Sequence, residues 1–139
     1  MGRSIQLEIP PRSDYLALVR RVVATAASLD QVLPDRRIDD LSLAVSEACA
    51  NAIDAQRSTG SMESVGVTIE LDAQAVAVTI TDHAGGFAPE DVDPLPAADD
   101  PGRLRHERGL GLPLMRSLAE TVTFTATADG TAVRIEVHG

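Results

Sequence analysis

Apolar and polar residues alternate at the start of the chain, and the alternation stops at two consecutive prolines. This pattern predicts a short β-strand. From Ser13 the apolar residues recur every three or four positions, which predicts a first helix ending at about Asp30. The same spacing returns from about Ile38 to Gln56 and predicts a second helix, for which Asp35 is a candidate N-terminal cap.

Strand-like patterns dominate the second half of the chain. Residues 65–72 and 75–82 are rich in β-branched residues and are separated by two residues, which predicts a hairpin. About thirty residues without a sustained period follow, and a loop of this length in a small domain is usually functional or disordered. Residues 110–121 return to helical spacing, and the last residues predict a second hairpin that turns at Asp129 and Gly130.

The order of these elements is strand, helix, helix, two strands, loop, helix and two strands. Because strands and helices do not alternate strictly, this order favours the α+β class, a two-layer sandwich with helices on one face of a mixed, mostly antiparallel sheet. The length of 139 residues predicts a single domain over residues 1–139. Hydrophobic residues make up 44% of the chain and aromatic residues only 2%, so aliphatic side chains must form the core.

The charged residues narrow the functional classes. The net charge is -9, and all 12 basic residues are arginines. The absence of lysine excludes a P-loop, which places a lysine on the phosphates, and also a Schiff-base enzyme. The acidic balance argues against direct nucleic-acid binding, which depends on neutralising phosphates, and suits a basic protein partner.

The single cysteine and the N-terminal sequence bear on the compartment. Cys49 has no second cysteine with which to form an internal disulfide. The N-terminal segment lacks the apolar centre of a signal peptide, and no apolar run approaches the roughly 20 residues that cross a bilayer. We therefore expect a cytoplasmic protein without a direct membrane role. For Cys49 a small core residue is favoured over a nucleophile, because no histidine lies near it in sequence.

Polar residues and glycines that could form a site occur at the edges of three predicted elements. They are Glu47, Asn51, Asp82, Gly85, Gly86, Gly109 and Gly111. Taken singly, each has an ordinary explanation, since a lone helical glutamate is most often solvated and paired glycines often serve tight packing. Glu47 and Asn51, however, lie one turn apart on the shoulder of the second helix, and an asparagine inside a helix gains little unless its amide is used.

The segments SEACANAIDA, TDHAGGF, RGLGLPLM and GTAVRIEV, in this order, resemble the N-box, the two glycine boxes and the closing strand of the GHKL ATPase superfamily. Within that superfamily the chain is similar to the small serine kinases that act as anti-sigma factors in bacterial partner switching. The similarity covers nearly the whole chain. It implies the Bergerat ATP-binding fold, an ATP lid at about residues 87–108, and ATP and Mg²⁺ as cofactors.

The resemblance also implies a role for each motif position. Glu47 would be the general base that accepts the proton of an attacking serine hydroxyl. Asn51 would coordinate Mg²⁺ through its amide oxygen, which is a hard ligand suited to this cation. Asp82 would accept a hydrogen bond from the exocyclic amine of adenine, and Thr131 would support that contact.

The glycine boxes would let backbone amides approach the phosphates at the N-terminus of the last helix. The positions implied are Gly85, Gly86, Gly109, Leu110 and Gly111. Because the chain has no lysine, an arginine must neutralise the γ-phosphate, and Arg108 beside the second glycine box is the candidate for this catalytic role. The first glycine of the first box is replaced by Ala84, and the N-box lacks the histidine that often follows it. Both departures bear on nucleotide affinity and kinase activity.

The function implied is that of an ATP-dependent serine protein kinase and anti-sigma factor. Such a protein would sequester a sigma factor, phosphorylate a serine of an anti-anti-sigma (STAS-type) antagonist, and form a homodimer. Two alternatives stay open: a non-catalytic nucleotide-binding module that controls its partner by docking alone, and a small α+β ligand-binding domain unrelated to ATP. Replacement of Glu47 by Gln separates the kinase from the docking module, and nucleotide titration exposes the other alternative.

Overall fold

The computed structural model describes residues 2–29, 33–84 and 111–139. The helices and strands within these ranges are β1 (Arg3–Ile9), α1 (Leu16–Leu29), α2 (Asp35–Thr59), β2 (Val65–Leu71), β3 (Ala75–Thr81), α3 (Gly111–Leu118), β4 (Thr121–Ala126) and β5 (Thr131–His138). A short 3-10 turn at Ser13–Tyr15 leads into α1. The order of elements agrees with the order predicted from the sequence. None of the described helices is long and apolar enough to cross a membrane.

The strands form one sheet in the order β1-β2-β3-β5-β4. Both predicted hairpins are present, β2 with β3 and β4 with β5. Every pairing between the described strands is antiparallel, so the sheet that was predicted to be mixed contains no parallel pair within the described ranges. The central strands β3 and β5 bring the end of β3 beside the beginning of β5, with Thr81 opposite Ala132.

The three helices of the described ranges cover one face of the sheet, as predicted for a two-layer α+β sandwich. Alternate residues of β2 and β5 are buried, such as Val67, Ile69 and Ile135, and they join the helices in one hydrophobic core. The intervening residues are more exposed, among them Glu70 and Thr68. Period-two burial of this kind follows from the pleat of a strand that has a core on one side only.

Helix α2 occupies the middle of the helical layer, where it contacts α1, α3 and the strands β2, β3 and β5. It therefore buries more than the single apolar stripe that the sequence predicts, and the added buried residues are Ala44, Ser46, Cys49, Ile53 and Gln56. Burial raises the pKa of the Cys49 thiol to about 12. The interpretation of Cys49 as a small core residue is confirmed.

Helix α2, Asp35–Thr59, extends about three residues beyond the predicted bounds of Ile38 and Gln56 at each end, and its cap also differs from the prediction. Asp35 was predicted to be the N-terminal cap, but Pro34 holds that position with extended backbone and without a side-chain hydrogen bond. Asp35 is instead the first helical residue, where its negative charge lies favourably near the positive end of the helix dipole. The helix ends at Gly60, whose φ of 75° is the left-handed conformation that glycine adopts at helix C-termini.

Candidate functional site

The second half of α2 presents the two polar residues that the sequence singled out. Glu47 and Asn51 are both half-buried, while Ala48 and Ala52 beside them are buried. Residues four positions apart in a helix are neighbours on one side, separated by about one turn. The small alanine side chains let the helix lie close to the sheet. The two polar side chains thus share one shoulder of α2, as predicted.

Asp82 follows the last residue of β3 and is buried, with only 7% of its surface exposed. Its Oδ1 accepts hydrogen bonds from the backbone amides of Ala84, at 3.0 Å, and Thr131, at 3.2 Å. Its own backbone amide donates to the Thr131 carbonyl oxygen at 2.9 Å. Thr131 is therefore bound to Asp82 through both of its main-chain polar groups. The family resemblance implied that these two residues share one site, and the structure brings them together.

Burial is the main influence on the ionisation of Asp82. Loss of solvent raises the pKa of this carboxyl group above its usual value, and the nearby charge of Asp129 acts in the same direction. The hydrogen bonds from the amides of Ala84 and Thr131, and the proximity of His83, lower the pKa but do not cancel the effect of burial. The group is therefore an acceptor whose strength depends on pH.

The turn between β4 and β5 lies directly against Asp82. An added Cβ at Gly130 would stand 2.0 Å from the Asp82 carbonyl oxygen and 2.8 Å from its Oδ1, so no larger residue fits without movement of the backbone. Gly130 thus lets the turn approach closely enough for Thr131 to bond Asp82. The sequence predicted the turn at this glycine but did not include Gly130 in the site.

A buried glutamine joins α2 to the segment that carries Asp82. Gln56 has no exposed surface; its Oε1 accepts a hydrogen bond from the His83 backbone amide at 2.7 Å, and its Nε2 donates to the Glu63 carbonyl oxygen at 2.5 Å. The His83 ring extends the connection, because its Nδ1 lies 2.9 Å from the Ser64 carbonyl oxygen and must carry the proton there. His83 itself is half-buried.

Helix α3 begins at Gly111, the second glycine of the second glycine box. Its C-terminal end is held against the start of α2, where Arg37 donates to the Leu118 carbonyl oxygen at 3.1 Å and pairs with Glu120 at 2.5 Å. The pKa of Arg37 is raised because its hydrogen bonds and charge interactions with Asp40 and Glu120 outweigh the opposing effect of desolvation, the largest single influence. These contacts fix the end of α3 opposite to the glycine box.

Several predicted site residues lie outside the described ranges, as does the predicted ATP lid at about residues 87–108. They are Gly85, Gly86, Arg108, Gly109 and Leu110. Ala84, the substituted glycine-box position, is described: it is buried, and its amide serves as one of the two donors to Asp82. The interior therefore accommodates the extra methyl group, and the departure from the glycine pattern leaves the Asp82 contact intact.

The described part of the chain holds no group of three or more His, Cys, Asp or Glu residues that could bind a metal ion by themselves. Mg²⁺ differs from zinc in this respect, because it commonly takes one or two protein oxygens and completes its shell with substrate phosphates and water. The half-buried amide of Asn51 fits this donor set. Likewise, the carboxylate of Asp82, which two backbone amides hold at Oδ1, can accept a hydrogen bond from a ligand at its second oxygen.

Two contributors to the site, Gln56 and Gly130, were missed by reasoning from the sequence. Gln56 falls on the predicted apolar side of a helix, and an uncharged polar residue there signals a buried hydrogen bond without identifying its partner. Gly130 had a sufficient explanation as a turn residue. Its second role depends on the packing of the turn against Asp82, which no local pattern reveals.

Comparison with known proteins places these features in context. Residues 9–137 match the family model of the histidine kinase-like ATPase domain. The chain is 30% identical over 130 residues to the serine-protein kinase RsbW of Bacillus pumilus, a match that covers 89% of this chain and 79% of the relative. It is 28% identical over 122 residues to the serine-protein kinase RsbW of Bacillus subtilis, covering 85% of this chain and 75% of that protein.

A solved structure resembles the fold. The crystal structure of the RsbU and RsbW domains of a Mycobacterium tuberculosis protein superposes with a TM-score of 0.69 at 15% sequence identity. The match covers 97% of this chain and 32% of the other, so this chain spans about a third of that structure's length. At this identity the likeness concerns the fold alone, and it agrees with the two-layer α+β architecture.

Proposed function

Because the chain belongs to the histidine kinase-like ATPase family, we propose that it is an ATP-dependent serine protein kinase and anti-sigma factor. The observation that carries the proposal is the geometry of Asp82, a buried carboxylate held at Oδ1 by two backbone amides beside a turn whose Gly130 leaves no room for a side chain. The relatives named above are serine-protein kinases. Their similarity supports the same reaction in this chain.

Asp82 is the proposed anchor for adenine. Since Oδ1 is engaged by the amides of Ala84 and Thr131, the second oxygen is oriented as well and is the proposed acceptor for the exocyclic amine. Guanine carries a carbonyl group where adenine carries its exocyclic amine. The carbonyl oxygen would face the carboxylate of Asp82, and two acceptors repel each other. The site should therefore prefer ATP to GTP.

Glu47 is the proposed general base, and its place on the shoulder of α2 supports this role because the side chain is neither in the core nor fully in solvent. In the proposed step, Glu47 accepts the hydroxyl proton of the substrate serine. The serine oxygen forms a bond to the γ-phosphorus while the bond to the β–γ bridging oxygen breaks, leaving ADP and phosphoserine. Glu47 then releases its proton to solvent.

Asn51 is the proposed protein ligand of Mg²⁺ through its amide oxygen. When bound, the ion would neutralise charge on the phosphates. One helical turn separates Asn51 from Glu47, which puts the proposed ligand and the proposed base on the same side of α2. The glycine-box amides at residues 85, 86 and 109–111, together with Arg108, are the proposed phosphate-binding groups.

The proposed partners are a basic surface of a sigma factor and a STAS-type antagonist whose serine receives the phosphoryl group. A net charge of -9 supports an attraction to basic protein surfaces. The proposal includes a homodimer acting in the cytoplasm, as the resemblance to anti-sigma kinases implies. Sequestration of the sigma factor would end when unphosphorylated antagonist competes for this chain.

The test begins with calorimetric titration of the intact chain with ATP, with and without Mg²⁺, and of the Asn51→Ala variant. We expect Mg²⁺ to strengthen ATP binding in the wild type by about tenfold or more, and to have little effect on Asn51→Ala, because the variant lacks the proposed ligand. Asn51 is the only asparagine in the sequence. The matched control is therefore Ser58→Ala, near the end of α2. It should behave as the wild type.

Three results would overturn parts of the proposal. Absence of ATP binding by the wild type would exclude the nucleotide site and leave the chain a member of its family by fold and sequence alone. ATP binding without transfer of labelled γ-phosphate to serine in any STAS-type antagonist that the chain binds would favour the docking module. If Mg²⁺ strengthens ATP binding by Asn51→Ala as much as it does by the wild type, Asn51 is not the metal ligand. The rest of the proposal would then stand.

A further inference from the structure

Gln56 differs from the other polar residues of α2 because its side chain is completely buried and both ends of its amide are used. Nε2 donates to the Glu63 carbonyl oxygen, and Oε1 accepts from the His83 amide. The two partners lie in different segments, one in the connection after α2 and the other after β3. A single side chain therefore fixes the relative positions of α2, the connection that follows it and the segment after β3.

We propose that Gln56 is a positioning residue that fixes the adenine anchor Asp82 relative to the shoulder of α2. This inference rests on the proposed nucleotide site. His83 follows Asp82 directly, so a hydrogen bond to its amide restrains the peptide unit that connects the two residues. Asn51 lies five positions before Gln56, about 7.5 Å along the helix axis. The hydrogen bond thus links the adenine-binding end of the proposed site to α2, the helix that carries Asn51 and Glu47.

The presence of glutamine at position 56 indicates that this side chain fixes the relative positions of the segments and does not merely fill space. An apolar side chain of similar size would fill the same volume, whereas a buried amide is costly unless all its groups are satisfied. Closure of the helix end does not require this side chain either. The bonds from Ser61 N and Thr59 Oγ1 go to the main-chain oxygen of residue 56, which any amino acid would supply. The side chain of Gln56 therefore acts on the His83 and Glu63 segments.

This arrangement predicts an effect on nucleotide selectivity. If Gln56 orients Asp82, its loss should weaken the contact with the adenine amine and leave phosphate contacts in place. A residue that only stabilises the fold would instead change the affinity for all nucleotides alike. The ratio of ATP to GTP affinity separates the two roles.

The principal experiment measures ATP and GTP affinities by competition against a fluorescent adenine nucleotide, on the intact wild type and on Gln56→Met. Methionine preserves volume and removes both hydrogen bonds. We expect ATP affinity to fall by about tenfold and GTP affinity to change by less than about twofold. The matched control is Gln74→Met, at an exposed glutamine in the β2–β3 turn, and it should bind both nucleotides as the wild type does.

A second variant, Gln56→Glu, remains informative if Gln56→Met is too unstable to assay. Burial raises the pKa of a glutamic acid, and its neutral form can donate to the Glu63 carbonyl oxygen and accept from the His83 amide as glutamine does. Its ATP affinity, normalised to the wild type at each pH, should be near one at about pH 5.5 and fall by about fivefold at about pH 8. The wild type and Gln56→Glu share the other charged or titratable groups around position 56, so normalisation to the wild type removes their effect. These groups are Asp54, Arg57, Glu63, Asp82, His83 and Asp129.

The outcomes distinguish this inference from the proposed function. A wild type that prefers ATP, together with Gln56→Met that is folded and keeps the same ATP-to-GTP ratio, would overturn the role of Gln56 and leave the nucleotide site standing. A normalised Gln56→Glu affinity that stays constant while the introduced carboxyl group ionises would overturn it as well. A wild type that binds neither nucleotide would instead overturn the proposed function, and the role of Gln56 would fall with it.

Discussion

Two regions of the candidate site are held in place by different means. The Asp82 corner, formed by Asp82, Thr131 and Gly130, is assembled from β3 and the β4–β5 turn and is fixed by backbone hydrogen bonds. The α2 shoulder, formed by Glu47 and Asn51, needs only the geometry of one helix. Its side chains are half-buried, whereas all three residues of the corner are buried.

The difference matches the tasks that we propose for them. A group that selects one base should hold its geometry before the ligand arrives, because a rigid acceptor penalises the wrong partner most strongly. A general base must exchange a proton with substrate and solvent, which a half-exposed carboxylate can do. The corner is therefore the proposed specificity element, and the shoulder is the proposed catalytic element.

The largest effect should come from breaking the shoulder alone. Glu47→Gln should lower the rate of serine phosphorylation by about 10²–10⁴-fold, the usual contribution of a general base. ATP affinity should change by less than about twofold, because the Asp82 corner is untouched. The measurement is transfer of labelled γ-phosphate to a STAS-type antagonist, alongside calorimetry. Glu63→Gln, at an exposed glutamate, is the control, and an unaffected rate in Glu47→Gln would exclude Glu47 as the base.

The next effect should come from breaking the corner. Asp82→Ala should weaken ATP binding by about 100-fold, since a hydrogen bond to a charged group contributes about 1.5–3 kcal/mol. Asp82→Asn sharpens the comparison because its Oδ1 can still accept from the amides of Ala84 and Thr131. It should lose ATP affinity to a similar extent while keeping more of the thermal stability. ATP binding at wild-type strength in both variants would remove Asp82 as the adenine anchor.

The local sequence indicates much of the shoulder and little of the corner. Helical periodicity alone placed Glu47 and Asn51 on one side of α2, and the resemblance to ATPase motifs paired Asp82 with Thr131. The family assignment and the α+β class are confirmed. The contacts of Gln56 with Glu63 and His83 could not be predicted, because they depend on tertiary packing between segments. The cap at Asp35 was wrong for a local reason, since Pro34 already provides the extended residue before the helix.

A smaller effect, on folding rather than chemistry, should follow from crowding the corner. Gly130→Ala places a Cβ 2.0 Å from the Asp82 carbonyl oxygen, and we expect the free energy of unfolding to fall by about 1–3 kcal/mol. Gly66→Ala is the matched glycine variant, because its nearest neighbour would be Thr81 Cβ at 3.8 Å, an ordinary contact. Urea denaturation followed by circular dichroism measures both. Equal stabilities of the two variants would contradict the close approach at Gly130.

The smallest expected effect is that acidification changes the ATP affinity and the stability of the fold in opposite directions. Because the pKa of Asp82 is raised in the folded state, its contribution to stability is greatest below the unfolded value of about 3.9 and is lost as pH rises through the folded value. ATP binding should have the opposite dependence, because the carboxylate is the acceptor. Titrations that approach this range from neutral pH should show affinity falling by a few-fold as Asp82 begins to take up its proton, with a larger loss on full protonation. Asp82→Asn should lack this component of both profiles.

The burial of Cys49 also has a practical consequence for spectroscopy. The thiolate is the species that attacks thiol-reactive dyes and spin labels, and a pKa of about 12 leaves almost none of it at neutral pH. Since Cys49 is the only cysteine in the sequence, a cysteine introduced at the exposed Met62 would be the preferred labelling position without removal of the native one. A probe there would report on the connection between α2 and β2 while the native thiol stays unmodified in the core.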